Sequence, residues 1–229
     1  MPLVQGEQGP MAAGSVAKGS PFSTAIIGSV NYLIGIDEAG RGPLAGPVAV
    51  GAVLMLQDFD WRLLEGVRDS KKLSEKKREE FFARAVELEQ SQTLRFAVAT
   101  SSAAYIDRYG IVPAIKRALA EVLSRFEVEP KDCHVLLDGS LRAPAEYIHQ
   151  ETIIRGDDTE PVISLASIMA KVTRDRLMKR LSSKYPEYDF HVHKGYGTPS
   201  HLSAIARRGL SDIHRASFCS RLRVGSKSV

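Results

Sequence analysis

With 229 residues, 44% of them hydrophobic and 25% charged, the chain is long enough for one globular domain with its own core and has the balance of an ordinary soluble protein. No run approaches the roughly 18 apolar residues of a membrane span, the opening MPLVQGEQGPMAAGS lacks a basic start followed by an apolar core, and Cys133 and Cys219 stand alone without metal-ligand spacing, so a reducing, cytoplasmic setting is expected. The formal charge of +4 and pI near 9.1 tolerate a nucleic-acid partner and favour one weakly.

Residues 1–29 are rich in Gly, Ser and Ala without periodicity and read as an N-terminal extension. Order is expected from Tyr32–Ile36, a short apolar strand running into Asp37 and Glu38, followed by a Gly/Pro-rich turn over Gly40–Pro47 and a second, buried strand over Val48–Met55. Trp61 reads as a packing residue in a surface turn, and Arg68–Leu73, with Lys71 and Lys72, as a polar loop. Ser74 is placed to cap a helix starting at EKKREEFFARAVEL, although Lys77 stands where a capping box would have an acid.

Leu94–Thr100 predicts a third strand, and Pro113 opens a helix to about Phe126 with Ile115, Leu119, Val122 and Leu123 on one stripe. Val135–Leu137 is a short strand ending in Asp138, and Glu151–Ile154 another, ending near Gly156, Asp157 and Asp158. Ser164–Leu181 is helical, small and apolar in its first half and basic in its second; His201–Arg208 makes one or two further helical turns. This order of elements implies an α/β sheet with helical layers. There is no internal repeat, no Gly-x-Gly-x-x-Gly fingerprint and no phosphate loop, which disfavours a nucleotide-cofactor enzyme.

Acids recur where strands end: Asp37 and Glu38, then Asp138, then Asp157. Neighbouring strand residues point to opposite faces, so Asp37 and Glu38 share a site only if the backbone departs from regular geometry there. Grouped carboxylates repel, which implies a bound cation or a shared proton. With oxygen ligands and no cysteine array, the expected cation is magnesium or manganese, and a pair of such ions suits phosphodiester hydrolysis. Asp175 competes as a fourth ligand, but its mid-helix position favours pairing with a basic neighbour.

Among the basic residues, one of Lys71 and Lys72 is placed to meet a backbone phosphate. The run from His191 to Gly197 combines His191, His193 and Lys194 with Tyr196, whose ring between glycines can face a sugar or base. His191 and His193 have metal-like spacing on a strand, a weak signal alone. Arg207, Arg208 and Arg215 add positive charge, and Arg221 and Arg223 form a basic tail.

Taken together, these segments resemble ribonuclease HII: the opening motif over Gly35–Gly42 with Pro43 and Ala45–Pro47, then Arg68–Leu73, Leu137–Gly139, Gly156–Asp157, Ala166–Asp175, His193–Tyr196 and Ile213–Phe218, in that order. The resemblance spans roughly residues 32–218. It implies an RNase H-like fold, a mixed central β-sheet flanked by helices with a small helical C-terminal part, divided as a catalytic domain over 30–200 and a helical region with basic tail over 201–229. It implies an endoribonuclease that cuts RNA/DNA hybrids and duplex DNA on the 5′ side of embedded ribonucleotides, leaving 3′-hydroxyl and 5′-phosphate ends. On this resemblance Asp37, Glu38, Asp138 and Asp157 are the catalytic, metal-binding acids, using manganese or magnesium. Gly40, Arg41 and Gly42 contact the 2′-hydroxyl, Tyr196 stacks on the next sugar, and Lys71 meets a phosphate.

Two positions depart from the family pattern: Ser140 stands where many members have asparagine, and Thr159 where bacterial members commonly have lysine. Neither removes an expected ligand, so activity is expected, with rate or metal preference open to change at Thr159. The competing readings are a binding module with a dead site, which would need a missing acid, and a DNA-only nuclease, against which the Gly40–Gly42 turn and Tyr196 argue. Nothing in the sequence requires more than a monomer.

Overall fold

The computed structural model describes residues 30–67, 72–220 and 222. The expected extension over 1–29, the phosphate-contact candidate Lys71, and Arg221 and Arg223 lie outside the described residues.

Five strands form one sheet in the order β3-β2-β1-β4-β5: β1 Tyr32–Ala39, β2 Val48–Leu56, β3 Leu94–Ser101, β4 Cys133–Asp138 and β5 His149–Ile153. β1, β2 and β3 pair antiparallel, while β4 runs parallel to β1 and β5 parallel to β4. This is the α/β sheet that the order of elements implied, with the mixed strand directions that the family resemblance implied. β1 and β2 are buried on both faces, so they read as nearly continuous apolar runs instead of alternating ones.

On one face, α1 (Glu75–Gln90) and α5 (Pro161–Lys184) pack with Val53, Met55, Leu94 and Leu136 of the sheet. On the other, α3 (Ile111–Leu123) buries Ile115, Leu119, Val122 and Leu123 against Ile34, Ile36, Val50 and Leu137. Ser74 caps α1 as its position predicts, its hydroxyl accepting from Lys77 N at 3.1 Å. Trp61 packs edge-on against Phe59 at 5.0 Å between centroids.

Three elements differ from the sequence reading. A seven-residue helix, α2 (Ala103–Tyr109), precedes α3 and is capped by the Ser102 hydroxyl; Gly110, at φ 89°, breaks it from α3. Asp157 does not end a strand: β5 stops at Ile153, and Asp157 sits on a single helical turn, α4 (Gly156–Thr159). His191 and His193 lie on a helical turn, α6 (Phe190–His193), not on a strand. The buried Phe190 anchors that turn, and Asp189 and Lys194 close it at both ends in the left-handed conformation.

Beyond α6, α7 (Pro199–Arg208) and α8 (Ala216–Cys219) form the small C-terminal helical part. A third apolar cluster joins them to the sheet domain: Ile205, Tyr188 and Phe190 meet Met178 of α5 and Ala45 of the loop after β1.

α5 lies against the sheet at close range. A Cβ on Gly51 would stand 2.4 Å from the Ala166 carbonyl oxygen and 2.9 Å from Ala170 N, so only glycine in β2 and small residues in the first half of α5 permit this approach. It brings Ser167, Lys171 and Arg174 of that helix to the open end of the sheet.

Candidate functional site

At the carboxyl ends of the parallel strands β1 and β4, hydrogen-bonded pairing between them stops at Ile36 and Leu137, while β1 stays in register with β2 through Ala39. The two strands part there, and the crevice that opens is where ligands bind in open α/β sheets. Asp37, Glu38 and Asp138 stand on its walls. β1 therefore does not leave strand geometry at Asp37–Glu38, as sharing a site seemed to require; its partner on one side ends, which leaves both acids on the cleft wall. The cleft has a volume of about 490 Å³ and is closed by Gly40–Gly42, Arg78, Ser167, Lys171 and Tyr196.

Asp37 is 4% exposed and accepts from the Glu38 backbone N–H at 2.7 Å. Burial pushes its carboxyl well above the usual range; a hydrogen bond with the Ser167 side chain pulls it back, and the neighbouring Glu38 and Asp138 charges push it further up. Glu38 is also raised by burial, offset in part by the hydrogen bond and charge of Arg41 and reinforced by Asp138. Arg41 Nη1 lies 3.2 Å from Glu38 Oε1.

Asp157 is fully buried. Its backbone N–H points to Asp138 Oδ1 at 3.4 Å, which places it behind Asp138 and off the cleft wall. Asp175 is drawn away into an ion pair with Lys171 at 2.9 Å. Thr159 is exposed at the end of α4, and Ser140 exposed just past Asp138. Among the described residues, no three His, Cys, Asp or Glu side chains stand together as a ready-made metal shell.

The loop after β1 is held by two buried arginines that the sequence reading did not assign to the site. Arg215 donates through Nε to Gly46 O, Nη1 to Arg41 O and Nη2 to Gly40 O, at 2.9, 3.0 and 2.7 Å. Arg174 donates through Nε to Pro47 O at 2.9 Å and through Nη2 to Ala45 O at 3.2 Å. Burial lowers both guanidinium pKa values, that of Arg215 to about 10 with the Arg174 charge adding to the effect. Gly40 has φ 87°, and a Cβ there would stand 2.0 Å from Arg174 Nε. The carbonyls thus turn inward to the arginines, a geometry that the side chain of any other residue would obstruct.

The Tyr196 segment is fastened to the same loop. Leu44 N and Ala45 N both donate to Gly195 O, Gly46 N to Ile213 O, and Arg215 N to Leu44 O. Tyr196, 42% exposed, turns its ring towards Lys171 and Arg174, at 5.7 and 5.8 Å from the ring centroid.

Beneath it lie His193, His201 and His214, all buried. Their hydrogen bonds fix each proton. Gly195 N and Ser211 N can only donate, so Nδ1 of His193 and of His214 accept. The Tyr188 and Tyr196 carbonyls can only accept, so His193 Nε2 and His201 Nδ1 carry protons. His214 Nε2–H then donates to His201 Nε2 at 3.0 Å. All three are neutral, and burial pushes each imidazole down, His214 to about 4. These histidines support the tyrosine loop; His193 uses both ring nitrogens on the Tyr188 carbonyl and Gly195 N, and His191 Nδ1 meets Ser182 Oγ at 2.9 Å.

Ser167 and Lys171 carried a legible signal: polar residues four apart in a helix half otherwise small and apolar trace one face. Arg215 and His214 had none, because their partners are backbone groups distant in sequence.

The chain matches a family model described as "Ribonuclease HII" over residues 34–221. Ribonuclease HII of Ruminiclostridium cellulolyticum is 47% identical over 194 residues, covering 85% of this chain and 72% of that protein. The Bacillus cereus protein of the same name is 46% identical over 189 residues, covering 82% and 69%. Among solved structures, the ribonuclease HII in a PCNA complex from Archaeoglobus fulgidus superposes with a TM-score of 0.67 at 28% identity, covering 86% of this chain and 98% of that one.

Proposed function

The chain belongs to the ribonuclease HII family, and from that premise we propose which of its residues hold the substrate and carry the reaction. It is an endoribonuclease that cleaves RNA in RNA/DNA hybrids and ribonucleotides in duplex DNA. The observation that carries the assignment of roles is the crevice where β1 and β4 part, with three acids on its walls and the Gly40–Gly42 loop and Tyr196 at its rim.

Asp37, Glu38, Asp138 and Asp157 are the acids that would hold magnesium or manganese. The donor set fits in kind: it consists of hard oxygens, and the Asp37 and Glu38 carboxyls, raised first by burial and further by neighbouring acid charge, are groups that a divalent cation would hold in the charged form. Bound ions of this type supply an activated water and stabilise the departing 3′-oxygen. The products are a 3′-hydroxyl and a 5′-phosphate on the ribonucleotide.

The chain's own residues position the strand. With the Gly40 and Arg41 carbonyls already accepting from Arg215, the loop offers its N–H groups to the 2′-hydroxyl, and deoxyribose would leave them unpaired. Tyr196 lays its ring on the following sugar, backed by Lys171 and Arg174. Ser167 orients the Asp37 carboxylate through its hydrogen bond. Lys71, outside the described residues, is the phosphate contact that the family resemblance implies.

A labelled duplex carrying one ribonucleotide, incubated with magnesium or manganese beside an all-DNA control, tests this reading. A cut on the 5′ side of the ribonucleotide, absent from the control, is expected. Equal cutting of both duplexes would overturn the role given to the Gly40–Gly42 loop.

A further inference from the structure

Next to the acid-lined cleft lies a second cavity of about 280 Å³, and Arg41 lines both. Its rim carries Arg41, Lys116, Arg142 and Ser140; its floor includes Leu119 and Leu141, and no acid lines it. We infer that this pocket is a phosphate subsite for the cleaved strand itself, holding a backbone phosphate close to the scissile one. The inference deepens the proposed reading and rests on it.

Charge decides the ligand class. Among the described residues, Lys116 and Arg142 have no carboxylate within ion-pair distance, whereas Arg84 of α1 and Arg125, just past the end of α3, are paired with Glu87 and Glu121 one turn away. Unpaired cations around a concavity attract an anion, and an apolar floor suits the faces of a sugar better than water.

The pocket is also built, not merely basic. Leu141 N donates to Asp138 O at 3.2 Å, Thr152 Oγ1 donates to Leu141 O at 2.8 Å, and Ala143 N donates to Gln150 Oε1 at 2.9 Å. Leu141 and Ala143 are both buried. Arg142 is therefore pinned on either side and exposed between them, while Lys116 projects from the rigid α3. The backbone that carries both cations is thus fixed before a ligand arrives, and the ordering cost on binding is confined to their side chains.

Continuity decides which strand. The two cavities share Arg41, and Ser140 follows Asp138 by two positions. A strand whose scissile phosphate sits at the acids passes directly over this rim. The complementary strand lies a duplex width away, beyond the reach of side chains that touch the cleft.

The test uses the full chain with Lys116→Gln and Arg142→Gln together, both exposed and outside the core, with melting temperature as a folding check. On a duplex with one ribonucleotide, KM is expected to rise about tenfold with kcat within twofold. The slope of log binding against log salt should fall by about one, the loss of one phosphate contact. Methylphosphonate substitution, one neutral linkage at a time, should locate a single sensitive position on the cleaved strand, and the double variant should be indifferent to it. An unchanged KM and salt slope would overturn the inference, as would a sensitive position on the complementary strand. Dissociation constants measured without metal on the same duplexes read the pocket even if the wild-type protein fails to cut, so a failure of the catalytic reading is seen separately.

Discussion

His214 accepts a proton with difficulty because it is buried beside His201, with its Nδ1 occupied by the Ser211 N–H and its Nε2–H committed to His201. Its pKa is lowered from 6.5 to about 4 in the fold, while the unfolded chain titrates near the ordinary value. Between those limits the unfolded state binds the extra proton, so stability is full above about 6.5 and declines as pH falls towards about 4. His193 and His201 are shifted in the same direction and add to the decline. Melting temperatures measured between pH 7 and 4 are expected to show this loss, and His214→Gln to flatten it. Arg215 makes a different point at the same scale. Lysine carries the charge but not the planar fork that spans three carbonyls. Arg215→Lys is expected to cost about 3 kcal/mol of stability and, by misplacing the loop, about 100-fold in cleavage rate; chemical denaturation and single-turnover kinetics measure the two. The acids and the Gly40–Gly42 turn were legible because their chemistry shows in residue type and short spacing. Arg174 and Arg215 were not, since an arginine that binds carbonyls looks in sequence like any surface cation.

Among elements, legibility followed burial and length. β1, β2 and β4 were readable because strands buried in the middle of a sheet are short apolar runs bounded by polar residues or turns, and the edge strand β3 because apolar and β-branched residues recur along it. α2 escaped because its seven residues bury only Ala103 and Ile106, too few for a helical period to emerge. α6 was misread because His191-Val192-His193 alternates like a strand, and the left-handed residues that close the turn, Asp189 and Lys194, are not glycines. α5 extends beyond its expected Ser164–Leu181, starting at Pro161 and ending at Lys184, since proline suits a first helical turn. The fit of α5 onto β2 is the element-level feature that function depends on. Gly51→Val would force a side chain into the Ala166 carbonyl. A loss of about 3 kcal/mol is expected from denaturant titration, together with reduced cleavage as Ser167 and Lys171 shift away from the acids.

At the scale of the whole molecule, the crowded carboxylates oppose folding until a cation joins them. A metal that binds only the folded chain stabilises it by about 2.7 kcal/mol at one hundred times its dissociation constant, or roughly 5–10 °C in melting temperature for a chain of this size. Calorimetry with manganese or magnesium is expected to show that rise, and a chelator to remove both the rise and the cleavage. Asp37→Asn should abolish cleavage and most of the rise while leaving the apo protein at least as stable, because it removes a buried like charge. An apo variant that fails to fold would instead make Asp37 a structural residue.

The clasp between Arg215 and the Gly40–Gly46 loop joins positions up to 175 residues apart. A ribosome therefore makes the loop long before its fastener. Until Arg215 has left the exit tunnel, the growing polypeptide has carboxylates without a set loop to present the ribose. A message cut short between those codons yields a chain that carries the acids but lacks the clasp.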